Sequence, residues 1–292
     1  MSPRSAPATV RETLPDLTVD ATRVAAAALA EDGVVDLTTS VAVKRPVTGE
    51  GVIEARERCV AAGLLYAEVT ARAAGCKIVW QVKEGAEVGP GPTGRIRGDL
   101  ATILRAERPI LNILQRASGI ATATRAVVNA LKGTPCRVLH TRKTAPGLRL
   151  LDISAVVAGG GSLHRLDLTH TVMIKDNHWK ALAQEGRSLS DALSTARVRG
   201  ALSCQVEVES EAQVEEACRA EADRLLLDNQ APETVSAWAR LARDLSPGIT
   251  IEATGSLTLT NVRAYAEAGA DFVSLGALTH SVRAADLALD LR

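Results

Sequence analysis

The segment CQVEVESEAQVEEACRAEADRLLLDN (204–229) reads as strand, helix, strand. Valines alternate with polar residues in CQVEVE, RLLLDN is a short apolar run closed by an acid and an amide, and Glu211–Ala220 between them has helical composition. The same alternation continues on both sides. RVLHT (137–141), TVMIKD (171–176), ITIEATG (249–255) and DFVSLGAL (271–278) are further β-rich runs, with helices expected over Pro232–Asp244 and Thr258–Ala268. Strands that recur with helices between them imply βαβ units and a parallel sheet. Six such strands without a dinucleotide fingerprint favour an α/β barrel over a doubly wound sheet. In such barrels the chemistry gathers at the C-terminal strand ends. Polar residues fall there in this chain: Thr141, Arg142, Lys143, Lys175, Glu207, Asp228, Thr254, Gly255, Ser256 and Gly276.

The first hundred residues have a different rhythm. Helices are expected over Val19–Ala30 and Cys59–Ala74, interleaved with strand-like VIEARE (52–57), KIVWQV (77–82) and GRIRG (94–98). Glu84-Gly85 and Gly89-Pro90-Gly91 supply turn chemistry, so this part reads as α+β with antiparallel turns. A long helix from Glu107 to Leu131 is expected to join the two parts. The domain division is therefore 1–108 and 109–292, with a C-terminal helix packed on the first domain.

Composition narrows the function. The 292 residues are 46% apolar but only 2% aromatic, and 34 Lys+Arg balance 34 Asp+Glu. A neutral chain with few aromatics lacks the basic stripe and stacking platforms of a nucleic-acid binder. No apolar run approaches the ~18 residues of a membrane span, and MSPRSAPATVRETLPDL (1–17) has no signal-like apolar region. The five cysteines form no CxxC pair, which fits neither a disulfide framework nor a zinc site. A reduced, cytoplasmic protein is expected.

Within that neutral whole, one stretch is cationic. Residues 140–178 hold four of the five histidines with Arg142, Lys143, Arg149, Arg165 and Lys175, against Asp152, Asp167 and Asp176. Arg offers a planar fork to carboxylate or phosphate and Lys a point charge, so the stretch suits a small polyanion. A solvated face is the plainer reading, but such faces mix both signs at helical spacing, and this stretch sits at the ends of short strands. Glu207 and Glu209 alternate with valines and share one face of their strand. Asp228-Asn229 has an equally plain reading as a cap for the helix starting near Pro232, and Gly159-Gly160-Gly161 as a helix stop. His140, His170, His178 and His280 read as structural.

EDGVVDLTT (31–39), ERPILNILQRASGIAT (107–122), HTRKTAPGLR (140–149), GGGSLHR (159–165), MIKDNH (173–178), VEVE (206–209), LLLDN (225–229) and the run 252–281 follow one another in order. Together they resemble the quinolinate phosphoribosyltransferase family, also called carboxylating nicotinate-nucleotide pyrophosphorylases. The resemblance implies an open α/β barrel of about six parallel strands with an N-terminal α/β sandwich domain. It implies a Mg²⁺-dependent pentosyltransferase of NAD biosynthesis, joining quinolinate to phosphoribosyl pyrophosphate with loss of pyrophosphate and CO₂. Arg142, His164 and Arg165 match dicarboxylate-binding positions, with Thr141 and Lys143 beside them. Lys175, Glu207 and Asp228 match positions around the phosphoribosyl group, the two acids also as Mg²⁺ ligands, directly or through substrate. Thr254-Gly255-Ser256 and Leu275-Gly276-Ala277 match a 5′-phosphate cradle, and Arg108 a residue donated across a homodimer or larger assembly. Lys143, Lys175, Glu207 and Asp228 would carry catalysis.

Thr254-Gly255-Ser256 stands where Ser-Gly-Gly is more common, a mild change, and three positions near the acid depart from the family's pattern: His140 where Asp is usual, Leu163 where Asn is usual and Asp167 where Gly is usual. They open an alternative, a paralogue acting on a different pyridine or aromatic acid. Two other readings are a Schiff-base aldolase using Lys143 or Lys175, and a protein that binds nucleotide without turnover.

Overall fold

The computed structural model describes residues 13–292; the leading stretch 1–12 lies outside the described residues. The chain begins α1 (Thr18–Glu31), α2 (Leu37–Ala42), β1 (Thr48–Ala55), β2 (Cys59–Val60), α3 (Leu64–Ala74), β3 (Lys77–Trp80), β4 (Glu87–Val88) and β5 (Gly91–Asp99). Next come α4 (Leu100–Ala130), β6 (Arg137–Leu139), α5 (Arg149–Ala158), β7 (Thr171–Ile174), α6 (Asp176–Gln184), α7 (Leu189–Val198) and β8 (Ser203–Val208). It ends α8 (Glu211–Arg219), β9 (Arg224–Asp228), α9 (Pro232–Leu245), β10 (Thr250–Thr254), α10 (Val262–Glu267), β11 (Phe272–Ser274), α11 (Ala277–His280) and β12 (Leu287–Leu291). Two compact units result, one from residues 14–125, 143–161 and 277–292, the other built on 126–142 and 162–276.

In the first unit, an antiparallel sheet runs β12-β1-β5-β3, beside a small β2-β4 ladder. Helices α3 and α4 each present two apolar faces, as their spacing dictates. Leu64, Ala67 and Ala71 join Ile103, Ala106, Ile110 and Leu114 against Ile53, Ile96, Leu287 and Leu289 of the sheet. The other faces, with Tyr66, Val69, Ile113, Ala117 and Ile120, close on Ala21 and Val24 of α1 and Leu151, Ala155 and Val156 of α5. Each fully buried large side chain contributes roughly 1.5–3 kcal/mol, which offsets the scarcity of aromatics.

The second unit is a six-stranded sheet in the order β6-β11-β10-β9-β8-β7, and every pairing in it is parallel. From β7 each strand adds beside its predecessor, and the last, β11, returns to the first, β6. That circular order is the barrel connectivity expected of successive right-handed βαβ units. Among the described residues no ladder joins β6 to β7, so the barrel is open there; a single parallel bridge, Leu139 to Ser162, lies on that side of β6. All six residues of β8 are buried, as a strand covered on both faces must be.

Several expectations are corrected. The C-terminal element is no helix: LALDL buries alternate residues and pairs antiparallel with β1, Leu289 opposite Ile53. The helix expected from Cys59 begins at Leu64, because Cys59-Val60 is taken by β4. The joining helix starts at Leu100 rather than Glu107, since Asp99 Oδ1 accepts the N–H groups of Ala101 and Thr102 and so caps it. A boundary at 108/109 therefore falls inside α4. The helix expected over Thr258–Ala268 is limited to α10. Gly159-Gly160-Gly161 does follow the end of α5, but it is more than a stop. A Cβ on Gly159 would lie 2.5 Å from the Ala121 carbonyl oxygen, so α5 and α4 meet there through bare backbone.

Candidate active site

The cationic side of the barrel unit is assembled where β6 ends. His140 is buried, 2% exposed, and Thr141 and Arg142 follow it. Arg142 is half-buried, and its Nε is buried with no hydrogen-bond partner. The Leu139–Ser162 bridge and a bond from the Ser162 N–H to the Val138 carbonyl fix the next segment beside β6. That segment delivers His164 and Arg165. Burial, and then the nearby charge of Arg142, lower the proton affinity of Arg165. Two guanidinium groups are thus held close in a partly dehydrated place, an arrangement that an anion relieves.

His164 is buried, with Nε2 3.2 Å from Oε2 of Glu252. Glu252 lies inside the barrel and also accepts from Arg224 Nη1 at 3.1 Å. Burial opposes its ionisation, but His164 and Arg224 hold its carboxyl down at about 2. The His140 ring stands edge-on to that of His164, centroids 6.2 Å apart. Burial, with His164 beside it, pushes His140 down to about 4, so His140 is neutral at physiological pH. Its Nε2 is buried without a partner.

The remaining barrel residues line up by register. Glu207 pairs with Leu226, Leu226 with Glu252, Glu252 with Phe272, and Phe272 with Arg137. Paired residues in a parallel ladder share a face, so Glu207 and Glu252 form one layer; Asp228 and Thr254, themselves paired, form the next towards the C-terminal ends. Lys175, at the end of β7, makes an ion pair with the buried carboxylate of Glu207. Trp179 of α6 donates its indole N–H to the Glu207 carbonyl at 2.9 Å, and the Lys175 N–H is received by His178 Nδ1 at 3.1 Å. Glu209 does not share the role of Glu207, because it lies beyond the end of β8 and is exposed.

Asp228 is not a helix cap. The cap of α9 is Ala231, with Pro232 opening the helix. The residue beside it, Asn229, is left-handed at φ 53° and braces the loop after β10. Its Oδ1 receives both the N–H and the hydroxyl of Ser256 at 2.9 Å, its N–H reaches the Thr254 carbonyl at 3.0 Å, and its Nδ2 donates to Asp228 at 3.1 Å. Gly255, at φ 103°, passes so close to Asn229 that any Cβ would collide with the amide. Leu275 is buried and Gly276 half-buried, directly after β11.

Three expected site residues belong to the other unit. Lys143 is exposed, and its carbonyl accepts from the Thr279 hydroxyl at 2.7 Å. Ala277 begins α11. Arg108 on α4 is 60% exposed, 3.8 Å from Glu107. All five cysteines are buried, and burial pushes every thiol up, Cys136 to about 12, so none is a ready nucleophile. No helix among the described residues is long and apolar enough to cross a membrane.

Two family models match successive parts of the chain: the quinolinate phosphoribosyl transferase N-terminal domain over residues 36–118 and its C-terminal domain over 120–290. The chain belongs to the quinolinate phosphoribosyltransferase family. A nicotinate-nucleotide pyrophosphorylase [carboxylating] of Mycobacterium leprae is 39% identical over 263 residues, 88% of this chain and 91% of the relative. A quinolinate phosphoribosyltransferase [decarboxylating] of Nicotiana tabacum is 35% identical, covering 90% of this chain and 80% of the relative. Among solved structures, the nicotinate-nucleotide pyrophosphorylase of Francisella tularensis superposes with a TM-score of 0.86 at 29% identity, over 96% of this chain and 98% of that one.

For this quinolinate phosphoribosyltransferase family member, residue patterns alone left Glu252, Arg224 and Trp179 without a role, and gave Asn229 only that of a possible helix cap. Glu252 and Asn229 stand inside EATG and LLLDN, where an acid or amide within an apolar strand run is itself a signal. Arg224 and Trp179 carry no such mark.

Proposed function

We infer that the chain transfers the phosphoribosyl group of phosphoribosyl pyrophosphate to quinolinate, with decarboxylation, giving nicotinate mononucleotide, pyrophosphate and CO₂. One observation carries the reading: Arg142 keeps a buried, unpartnered Nε beside Arg165, in a chain of this family. A buried donor without a partner costs roughly 1–3 kcal/mol, recovered when an anion accepts from it. Arg142, His164 and Arg165 would grip the two carboxylates and aim the pyridine nitrogen at the anomeric carbon. As that nitrogen attacks, the bond from the anomeric carbon to pyrophosphate breaks. The ring nitrogen, now cationic, stabilises the electron pair that the broken bond to the carboxylate leaves on the adjacent ring carbon; CO₂ leaves and that carbon takes a proton from solvent. Lys175 and Lys143 would stabilise the departing charge, so catalysis is positioning and electrostatics.

Glu207 and Asp228 fit a hard cation held by one or two carboxylates plus substrate phosphates. When bound, Mg²⁺ supplies charge neutralisation on the pyrophosphate. The Thr254–Ser256 loop and Gly276 would receive the 5′-phosphate, with Asn229 holding the loop in shape. Asn229→Ala is therefore expected to raise KM for phosphoribosyl pyrophosphate about 10-fold, the loss of one to two hydrogen bonds, while KM for the acid stays within twofold. Initial rates with each substrate varied check this.

The active unit is proposed to be a homodimer in which Arg108 completes the neighbour's acid site. Exposed apolar Val34, Val35, Leu37 and Val41 on and before α2 supply surface that an interface would cover. Inactive Arg108→Ala mixed with inactive Lys143→Ala should recover part of the activity, since each hybrid contains one intact shared site. Hybrids that form, by mass spectrometry, yet recover no turnover would contradict the shared site.

A second reading rests on His140, whose neutral ring with an unpartnered Nε2 replaces the usual carboxylate. It supports a paralogue for a different pyridine acid. Pyrophosphate release from phosphoribosyl pyrophosphate and Mg²⁺ with a panel of pyridine acids decides. Fastest release with quinolinate is expected; release with another acid alone would establish the paralogue.

A further inference from the structure

We propose that Glu252 is a positioning residue of the acid site, accepting the Nε2–H of His164 and so fixing the ring with Nδ1, which must carry a proton to donate to a carboxylate, turned to the dicarboxylate. The proposal rests on reading His164 as an acid ligand. Glu252 sits two residues before Thr254 on β10, wholly within the barrel, 2% exposed. A buried carboxylate needs partners, and Glu252 has them on three sides: His164 Nε2 at 3.2 Å, Arg224 Nη1 at 3.1 Å and the Ser274 hydroxyl. Arg224 is itself held, with its guanidinium 4.1 Å from the Phe272 ring centroid and its Nε 3.3 Å from the Thr250 hydroxyl. The carboxylate therefore cannot swing away, and its hydrogen bond dictates which ring nitrogen of His164 faces outward, as partners behind a histidine commonly do.

Charge accounting supports the same role. Arg142 and Arg165 would repel one another, and Glu252 is the acid that bonds the histidine between β6 and Arg165. Because Arg224 shares it, its field does not repel a dianion in front of His164. A purely structural Glu252–Arg224 pair would need no histidine, whereas here His164 Nε2 and Arg224 Nη1 share one oxygen, Oε2.

The test is a cycle of Glu252→Gln, His164→Asn and the double variant, reading KM for quinolinate, KM for phosphoribosyl pyrophosphate and kcat. Glu252→Gln is expected to raise quinolinate KM about 10- to 100-fold, the usual loss when a partner behind a ligand is removed, with phosphoribosyl pyrophosphate KM unchanged. In the His164→Asn background the same change should add less than threefold. If His164→Asn leaves quinolinate KM unchanged, the reading of His164 fails. If His164→Asn raises it but Glu252→Gln does not, or its effect multiplies in full, Glu252 holds no positioning role. Should Glu252→Gln misfold because Arg224 is stranded, Arg224→Met with Glu252→Gln removes both charges and carries the same expectation. Independently of any Glu252 variant, ¹⁵N-histidine spectra of the wild-type protein, assigned with His164→Asn, should show a protonated Nε2 on His164. An unprotonated Nε2 overturns the proposal.

Discussion

Arg142→Ala is expected to raise KM for quinolinate by about 30-fold to several thousand-fold, the ~2–5 kcal/mol lost when a buried charge-assisted pair loses one member. KM for phosphoribosyl pyrophosphate should change little, because the residues proposed to hold it stand on β7 to β11. The ligand-free variant should melt no lower than the wild type. Its Nε lacks a partner in the free protein, and its charge opposes Arg165, so removal takes away an unfavourable feature, the usual compromise at a binding site. The same logic predicts that quinolinate raises the melting temperature of the wild type and not of the variant. A variant that binds quinolinate normally would remove the observation on which the function rests.

Asp152→Ala should give the largest loss of stability, about 3–5 kcal/mol, because it strands a charge. Asp152 is wholly buried, and its two oxygens accept from Arg116 Nε and Nη2 at 2.8 and 2.7 Å. It also accepts the Ala145 N–H at 3.1 Å, and Arg116 reaches on to the Thr279 carbonyl at 3.0 Å. One carboxylate thus ties α4, α5, α11 and the segment bearing Lys143 within the first unit. Thermal unfolding should fall on the order of 10 °C, and amide exchange over residues 143–149 should speed up. Asp152→Asn, which keeps the shape and one acceptor, should lose less. A wild-type melting point for Asp152→Ala would show that Arg116 finds another partner.

These two residues also mark what the sequence made legible. The barrel strands were readable because each is a short apolar run between helices of clear periodicity, and β8 to β10 lie within a residue or two of their expected limits. The C-terminal strand was not, since five residues of LALDL beside Ala-rich ADLA read equally as helix until β1 supplies a partner. Arg142, His164 and Arg165 stood out because they lie in the one cationic stretch of a neutral chain and match the family's dicarboxylate-binding positions. Asp152 looked like one more acid in that cationic stretch; its partner, Arg116, is 36 positions away, and local pattern carries no information about that pairing. Glu252 was marked only as an acid within an apolar run, and its pairing with Arg224 was invisible for the same reason, as a buried ion pair is a property of register. Asn229 was read only with Asp228 as a possible cap for α9, because its bonds to Ser256 lie 27 positions away.

The most direct test of the central claim uses quinolinate labelled in the carboxylate adjacent to the ring nitrogen, with phosphoribosyl pyrophosphate and Mg²⁺. Labelled CO₂ and pyrophosphate should appear in equal amounts and at the same rate, with unlabelled nicotinate mononucleotide as the product. Pyrophosphate release without labelled CO₂, or no release with quinolinate while another acid supports it, would contradict the assignment.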